Sequence, residues 1–446
     1  MSEDRGNESM SKGSIVPEKA TQDSLSRPDW AWLDRNIWTE RMLAALGNGV
    51  KGGKWYSLID KIYRPKTLEA AWQQVKANKG AAGIDRQSIE IFDAKSERYL
   101  DELTEALRKG TYQAQPVRRV EIDKGDGKTR PLGIPTVKDR IVQTAVKNVI
   151  EPIFENEFLD MSYGFRPGRG CKDALREVDA LLKQGYTYIV DADIAKYFDS
   201  ISHELLEAQL EARIGDGRLL EILAGWLRQE VIQKLERWTP TGGTPQGSPI
   251  SPLLANIFLH PLDKLMTERG YRMVRYADDF VILCRSAEEA AKVLDEVKAW
   301  TTENRLSLHP DKTHVGDCRV KGQGFEFLGY RFEAGKRTVR KKSLKALMDK
   351  IRAKTPRTSG KSLKQVINDL NPMLRGWFGY FKHALRGIFR TIDGRIRRRL
   401  RAMLRKHEKR PGFGRCYDDH RRWPNAYFAE HGLFTLYEAH AKASQS

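Results

Sequence analysis

Four acidic residues stand where acids are costly. Asp191 and Asp193 interrupt the apolar run Ile189-Val190-Asp191-Ala192-Asp193-Ile194, and Asp278-Asp279 sit between Tyr276-Ala277 and Phe280-Val281-Ile282-Leu283. Charge on an apolar strand is unfavourable unless it has a task. Two adjacent carboxylates also repel each other, and the simplest compensation is a bound divalent cation. Mg²⁺ suits oxygen ligands and keeps waters and substrate phosphates in its shell. Two such ions about 4 Å apart could activate an attacking hydroxyl and stabilise a leaving pyrophosphate. Asp193 and Asp278 lie 278 − 193 = 85 residues apart, so only the fold can bring them together. An isolated Asp-Asp reads more simply as a hairpin turn. The second acidic strand and the basic balance of the chain favour the metal reading.

The cations suggest what the acids act on. The 446 residues carry 78 Lys+Arg against 59 Asp+Glu, a net charge of +19. That balance points to a polyanion, with nucleic acid ahead of an anionic membrane surface. Lys128 and Arg130 leave a Gly125-Asp126-Gly127 turn, where two cations on a hairpin tip could hold a triphosphate; the alternative is a solvated hairpin. Lys312 could protonate a leaving pyrophosphate or be a plain surface lysine. Arg166 and Arg169, beside glycines, would let backbone and guanidinium approach a template strand. From Arg386 to Arg410 eleven Lys/Arg face only Asp393 and Glu408. This excess cannot be paired within one helix, which favours phosphate binding over a solvated face.

Several elements must position these groups. The spacing of Trp30, Leu33, Ile37, Met42 and Leu46 predicts one N-terminal helical stripe, and Leu68, Trp72 and Val75 a second helix ending at Asn78-Lys79-Gly80. Alternation over 116–123 and 128–134 predicts a β-hairpin. Residues 138–158, 172–184 and 288–303 read as helices, 188–194 as a buried strand, and 271–284 as two strands around Ala277-Asp278. Strands and helices without a regular βαβ repeat indicate an α+β fold. Further on, Asn371-Pro372 reads as N-cap and first residue of a helix carrying Leu374, Trp377, Phe378 and Phe381. Ile388, Ile392, Ile396, Leu400 and Leu404 then give the Arg-rich segment its apolar stripe. The four cysteines form no CxxC pair, and His383, His407 and His420 have no metal-like spacing. No apolar run approaches the length of a membrane span.

Tyr276-Ala277-Asp278-Asp279 resembles the tyrosine-x-Asp-Asp box of reverse transcriptases, in the variant common among group II intron proteins. Asp193-Ile194-Ala195-Lys196-Tyr197-Phe198-Asp199 resembles the first catalytic box of the palm, and Gly243-Thr244-Pro245-Gln246-Gly247 through Asn256 the box between them. Tyr163-Gly164-Phe165-Arg166-Pro167-Gly168-Arg169, Phe327-Leu328-Gly329-Tyr330 and Asn78-Lys79-Gly80-Ala81-Ala82-Gly83-Ile84-Asp85 also match group II intron reverse transcriptase/maturases, in the family's order. Arg86 departs from the glycine usual after Ile-Asp.

The resemblance implies a right-hand polymerase with fingers, palm and thumb. Its segments would be a disordered tail (1–28), an N-terminal helical segment (29–62), fingers and palm with a template-binding extension (63–335), a helical thumb/maturase region (336–405) and a basic nucleic-acid-binding segment (406–446), with no endonuclease domain. It implies two Mg²⁺ ions held by Asp193, Asp278, Asp279 and the Ile194 carbonyl. Phe198 would exclude a 2′-hydroxyl, Gln246 would line the nucleotide pocket, and Lys128 and Arg130 would meet the triphosphate. Asn78, Lys79, Arg166, Arg169, Arg395, Arg398 and Arg399 would contact nucleic acid. The implied function is RNA-directed DNA synthesis by a protein that binds a group II intron RNA, assists its splicing and copies it at a DNA target. Its partners would be that RNA, an RNA template with DNA primer, target DNA and dNTPs, with no membrane; its location would be the bacterial cytoplasm near the nucleoid. Two rivals stay open: a related enzyme serving DNA repair or phage defence, and a splicing-only RNA-binding maturase.

Overall fold

The computed structural model describes residues 30–123, 129–358 and 360–443, so the expected tail 1–28 and the hairpin tip with Lys128 lie outside the described residues. The chain divides into a unit within residues 1–33 and a unit 34–446. Of the first, the 3-10 turn Trp30–Trp32 is described. The single stripe expected from Trp30 to Leu46 is therefore a misreading, because the next helix is a separate one, Glu40–Asn48. Asp34 explains the interruption. Its carboxylate accepts the Asn36 N–H at 2.8 Å, and its carbonyl accepts those of Ile37 and Trp38, which turns the chain.

Strands and helices mix without a βαβ repeat, as an α+β fold requires. The hairpin Val117–Asp123/Thr129–Ile134 is antiparallel. It is extended by a parallel strand, Val231–Gln233, and then by Glu236–Trp238. The acid-bearing sheet has the order Arg272–Tyr276, Asp279–Cys284, Tyr188–Asp193, His314–Asp317, all antiparallel. One face of it bears Ile189, Val281 and Leu283, which join a core with the helix Cys171–Lys183. The helix Ala287–Glu303 also packs against this sheet. Helices Val137–Glu155 and Ser251–Glu268 are buried along nearly their whole length.

A small sheet, Phe325–Phe327, Tyr330–Glu333 and Lys336–Val339, carries that core onward to the C-terminal helices. Phe325 and Phe332 stack at 4.9 Å. Tyr330 donates to the Tyr380 carbonyl at 2.6 Å while Tyr380 donates to the Leu328 carbonyl at 2.7 Å, so sheet and helix are tied reciprocally. Pro372 does not restart a helix. The helix runs uninterrupted from Leu363 to Phe381, with Ser362 as its N-cap in a capping box with Gln365. Asn371, instead of capping, donates to the Gly432 carbonyl and accepts the Phe434 N–H, both at 2.8 Å. The Arg-rich helix is Gly387–His407. No helix among the described residues is long and apolar enough to cross a membrane, and all four cysteines are free.

Candidate active site

Register decides which acids meet. Asp193 lies directly opposite Asp279, and Asp191 opposite Val281. Side chains alternate along a strand and directly paired residues share a face, so Asp191, Asp193 and Asp279 rise from one side of the sheet. Tyr276 pairs with Asp279, leaving Ala277-Asp278 as a two-residue turn that adds the fourth carboxylate. Ala277 adopts φ 61°, a conformation that costs an L residue about 1–2 kcal/mol.

The turn is held from behind by groups the sequence did not single out for the task. Arg275 and Asp263 form an ion pair with both side chains 0% exposed, Nε to Oδ1 at 2.7 Å. Arg275 also donates through Nη1 to Asn256 Oδ1 and to the Ala277 carbonyl, each at 2.9 Å, while Asn256 Nδ2 donates to the Gly164 carbonyl at 2.8 Å. Gly164 is needed there, since an added Cβ would stand 2.2 Å from the Ala277 nitrogen. Asn256 closes the Gly243–Asn256 box, but nothing in its type announced this partner. Beside it Phe165, at φ 59°, points outward toward the Tyr276 ring at 6.5 Å.

Electrostatics make the acid cluster unstable on its own. The surrounding protein desolvates Asp279, and Asp278 and Asp193 repel it, pushing it up to about 7. Its side chain opens to solvent, which moderates the first cause, so repulsion is the firmer one. Asp191, more deeply set, is also raised to about 7 by burial and then by Asp279. Burial, with Asp193 adding repulsion, raises Asp278. Lys312 pairs with Asp193 through Nζ and Oδ2. The Asp193 strand docks on residues 307–309 through the Asp193 carbonyl and the Ala195 N–H, groups on either side of the Ile194 carbonyl.

Among the described residues no three His, Cys, Asp or Glu side chains converge to cage a cation by themselves. That donor set still suits Mg²⁺, which takes one or two carboxylates and completes its shell with water and phosphate. The mutual repulsion of Asp278, Asp279 and Asp193 is what such a cation would relieve.

Two clefts gather residues of the motifs. The first, about 630 Å³, is lined by Phe198, Gln246, Lys196, Arg119, Trp238 and Arg305 among others; Asp191, Asp193, Asp278 and Asp279 do not line it, but Phe198 follows Asp193 by five residues. Phe198 and Gln246 are brought together because Thr244 N–H donates to the Phe198 carbonyl and Gly243 N–H to that of Ile201, both at 2.7 Å. The second cleft, about 430 Å³, is lined by Asn78, Lys79, Arg140 and Gly247. Between them Gly133 N–H donates to the Gln246 carbonyl at 2.6 Å, and a Cβ on Gly247 would meet the Gly133 oxygen at 2.4 Å. Arg130 is exposed on its strand and does not line the first cleft. Arg86 has φ 59°, which accounts for the glycine usual at that place.

Some cations differ from expectation. Arg166 cannot reach a template: its side chain is 3% exposed, bound to Glu155 and to the carbonyls of Phe158, Leu159 and Ser162. Arg169 stays nearer the surface but is engaged with Asp160. Arg399 turns inward, donating to Thr355 Oγ1 at 2.6 Å and to the Thr355 carbonyl at 2.8 Å. Arg395 and Arg398 remain exposed.

Comparison with known proteins adds the following. Residues 122–332 match the family Reverse transcriptase (RNA-dependent DNA polymerase), and residues 344–423 match Group II intron, maturase-specific domain. Protein YkfC of Escherichia coli is 33% identical over 318 residues, 61% of this chain and 82% of that protein. Group II intron-encoded protein LtrA of Lactococcus lactis is 38% identical over 240 residues, 53% of this chain; the chain spans 39% of LtrA. The putative COX1/OXI3 intron 2 protein of Saccharomyces cerevisiae is 26% identical over 401 residues, 76% of this chain and 46% of that protein.

Proposed function

The chain belongs to the group II intron reverse transcriptase/maturase family, and on that premise we propose that it binds a group II intron RNA, assists its splicing and copies it into DNA. The observation that carries the reading is the meeting of Asp193 with Asp278 and Asp279 at one end of the sheet, in a chain whose Phe198 and Gln246 share a cleft.

Each residue then has a task. Bound Mg²⁺ at Asp193, Asp278, Asp279 and the Ile194 carbonyl supplies activation of the primer hydroxyl and neutralises charge on the leaving pyrophosphate. Phe198 presents a ring under the sugar and excludes a 2′-hydroxyl by size. Gln246 borders the incoming nucleotide. Arg130, with Lys128, meets the triphosphate from the hairpin. Lys312, paired with Asp193 in the absence of substrate, is released to donate a proton to the pyrophosphate. Asn78 and Lys79 flank the templating strand in the second cleft. Arg395 and Arg398 meet RNA phosphates, which fix register without reading sequence. The remaining partners are dNTPs, a DNA primer and a DNA target, and the location is the bacterial cytoplasm near the nucleoid.

The test uses the intron RNA encoded by the DNA flanking the gene. Asp193→Ala abolishes dNTP incorporation while accelerated splicing and RNA affinity persist. Wild-type protein that leaves the splicing rate of that RNA unchanged would sink the maturase half of the reading.

A further inference from the structure

A second cluster, remote in sequence from the acids, combines groups with no internal use. The segment joining the helix Gly387–His407 to the helix Tyr417–Arg422 is clasped onto the first of them. Gly414, at φ 73°, lies so close that an added Cβ would stand 2.7 Å from the Ala402 nitrogen and 3.0 Å from the Arg398 carbonyl oxygen. Arg405 donates through Nε to the Pro411 carbonyl at 2.8 Å and pairs with Asp419.

A segment this constrained has already given up much of its backbone freedom, yet it leaves its rings in water. Phe413 is 69% exposed and Tyr417 79%. Single exposed aromatics are ordinary. Two of them four residues apart, one on the pinned loop and one opening the helix that follows it, beside cations without ion pairs, are not. Arg357 lies 4.9 Å from the Phe413 ring centroid. The ion pairs of this region belong to Arg405, Arg410 and Arg422, leaving Arg398, Arg415 and Arg421 without a carboxylate among the described residues.

Aromatic faces beside guanidinium groups are the means by which proteins hold unpaired nucleotides: the rings stack on bases and the cations follow the backbone. A duplex hides its base faces and would not use the rings. We propose that Phe413 and Tyr417 form a stacking platform for unpaired nucleotides of an RNA strand, whose phosphates Arg357, Arg398 and Arg415 attract. RNA is the assigned occupant because the platform lies within the segment matched to the maturase-specific domain. The proposal rests on the reading that the chain binds intron RNA, and adds where and through which groups.

The test uses the full chain with its polymerase cleft saturated by unlabelled primer–template duplex. A fluorescent, unstructured RNA of roughly 12 nucleotides carrying 5-bromouridine is then titrated by anisotropy and cross-linked. Phe413→Ala and Tyr417→Ala each weaken binding about tenfold, and Phe413→Trp retains it. Wild-type cross-links map to Phe413 or Tyr417. Thermal unfolding and primer extension at saturating primer–template stay unchanged in all three variants. Unchanged RNA affinity in both alanine variants, with cross-links only elsewhere, would overturn the platform. Tighter binding of the same sequence as DNA would overturn the RNA assignment. Loss of wild-type primer extension would count against the polymerase reading alone.

Discussion

Arg166 and Arg398 stand in similarly basic, motif-rich surroundings in the sequence, and their side chains meet opposite fates. Arg166 is sealed against Glu155 and three carbonyls, so Arg166→Ala strands a buried carboxylate. Urea unfolding is expected to report a loss of about 3–5 kcal/mol. Arg398 is exposed. Arg398→Ala is expected to change stability by less than about 0.5 kcal/mol and to reduce the salt slope of RNA binding by about 1. Sequence could not separate the two, because the partner that sequesters Arg166 is fixed by a turn rather than by composition. The acids were legible for the opposite reason, since carboxylates on apolar strands carry their own explanation wherever the fold sends them. Their titration gives a second prediction. Asp279 and Asp191 are raised to about 7 in the folded chain, against about 3.9 unfolded. The folded state therefore binds more protons between those values, and their contribution to stability falls as pH rises through that window. A Mg²⁺ ion held by these carboxylates would replace the lost protons, so the gain in Tm it gives should be larger at about pH 8 than at about pH 5. Thermal unfolding with Mg²⁺ against EDTA checks this, and Asp279→Asn should shrink the difference.

At the scale of elements, the hairpin carrying Asp278 depends on the helix that directly precedes it in the chain. Arg275, Asp263 and Asn256 join the strand Arg272–Tyr276 to the helix Ser251–Glu268 and fix the Ala277 carbonyl directly before Asp278. Arg275→Lys keeps the charge but cannot serve three acceptors in one plane. Steady-state primer extension should show kcat falling about 10²-fold, the usual consequence of a displacement near 1 Å, while primer–template affinity in a filter-binding assay stays essentially unchanged. A matched fall in affinity would mean that the network supports the cleft as a whole. The acid-bearing strands, the hairpin within 117–134 and the helices near 65–78, 137–155, 171–183 and 287–303 were legible from period and turn residues, whereas the helix Ser251–Glu268 and the small sheet within 325–339 were not. Helix boundaries were not where a single residue had two uses: Asn371 has the chemistry of an N-cap, but its amide is taken by Gly432 and Phe434 in the tertiary fold. Asp34 ended the first stripe for a similarly local reason, a turn closed by its own carboxylate and carbonyl.

Across the whole molecule, the charge of +19 is divided by use. Arg166, Arg275, Arg399, Arg401 and Arg405 hold the structure together through carboxylates and carbonyls. Arg130, Arg395 and Arg398 remain open to a polyanion. Composition gave the sum and could not give the division, because each of these arginines is matched by an acceptor that only the fold brings within reach. The fold likewise brings Asp193 to Asp278 and Asp279, and the account stands or falls on what those three do. The most direct measurement is incorporation of dNTPs on an RNA template with an annealed DNA primer and Mg²⁺, by wild type and by Asp278→Ala. The account predicts extension by the wild type, loss of it on chelation, and a fall of more than about 10³-fold in the folded variant, as expected when a group that organises the metal is removed. Extension by Asp278→Ala at the wild-type rate, or none by the wild type, would contradict it.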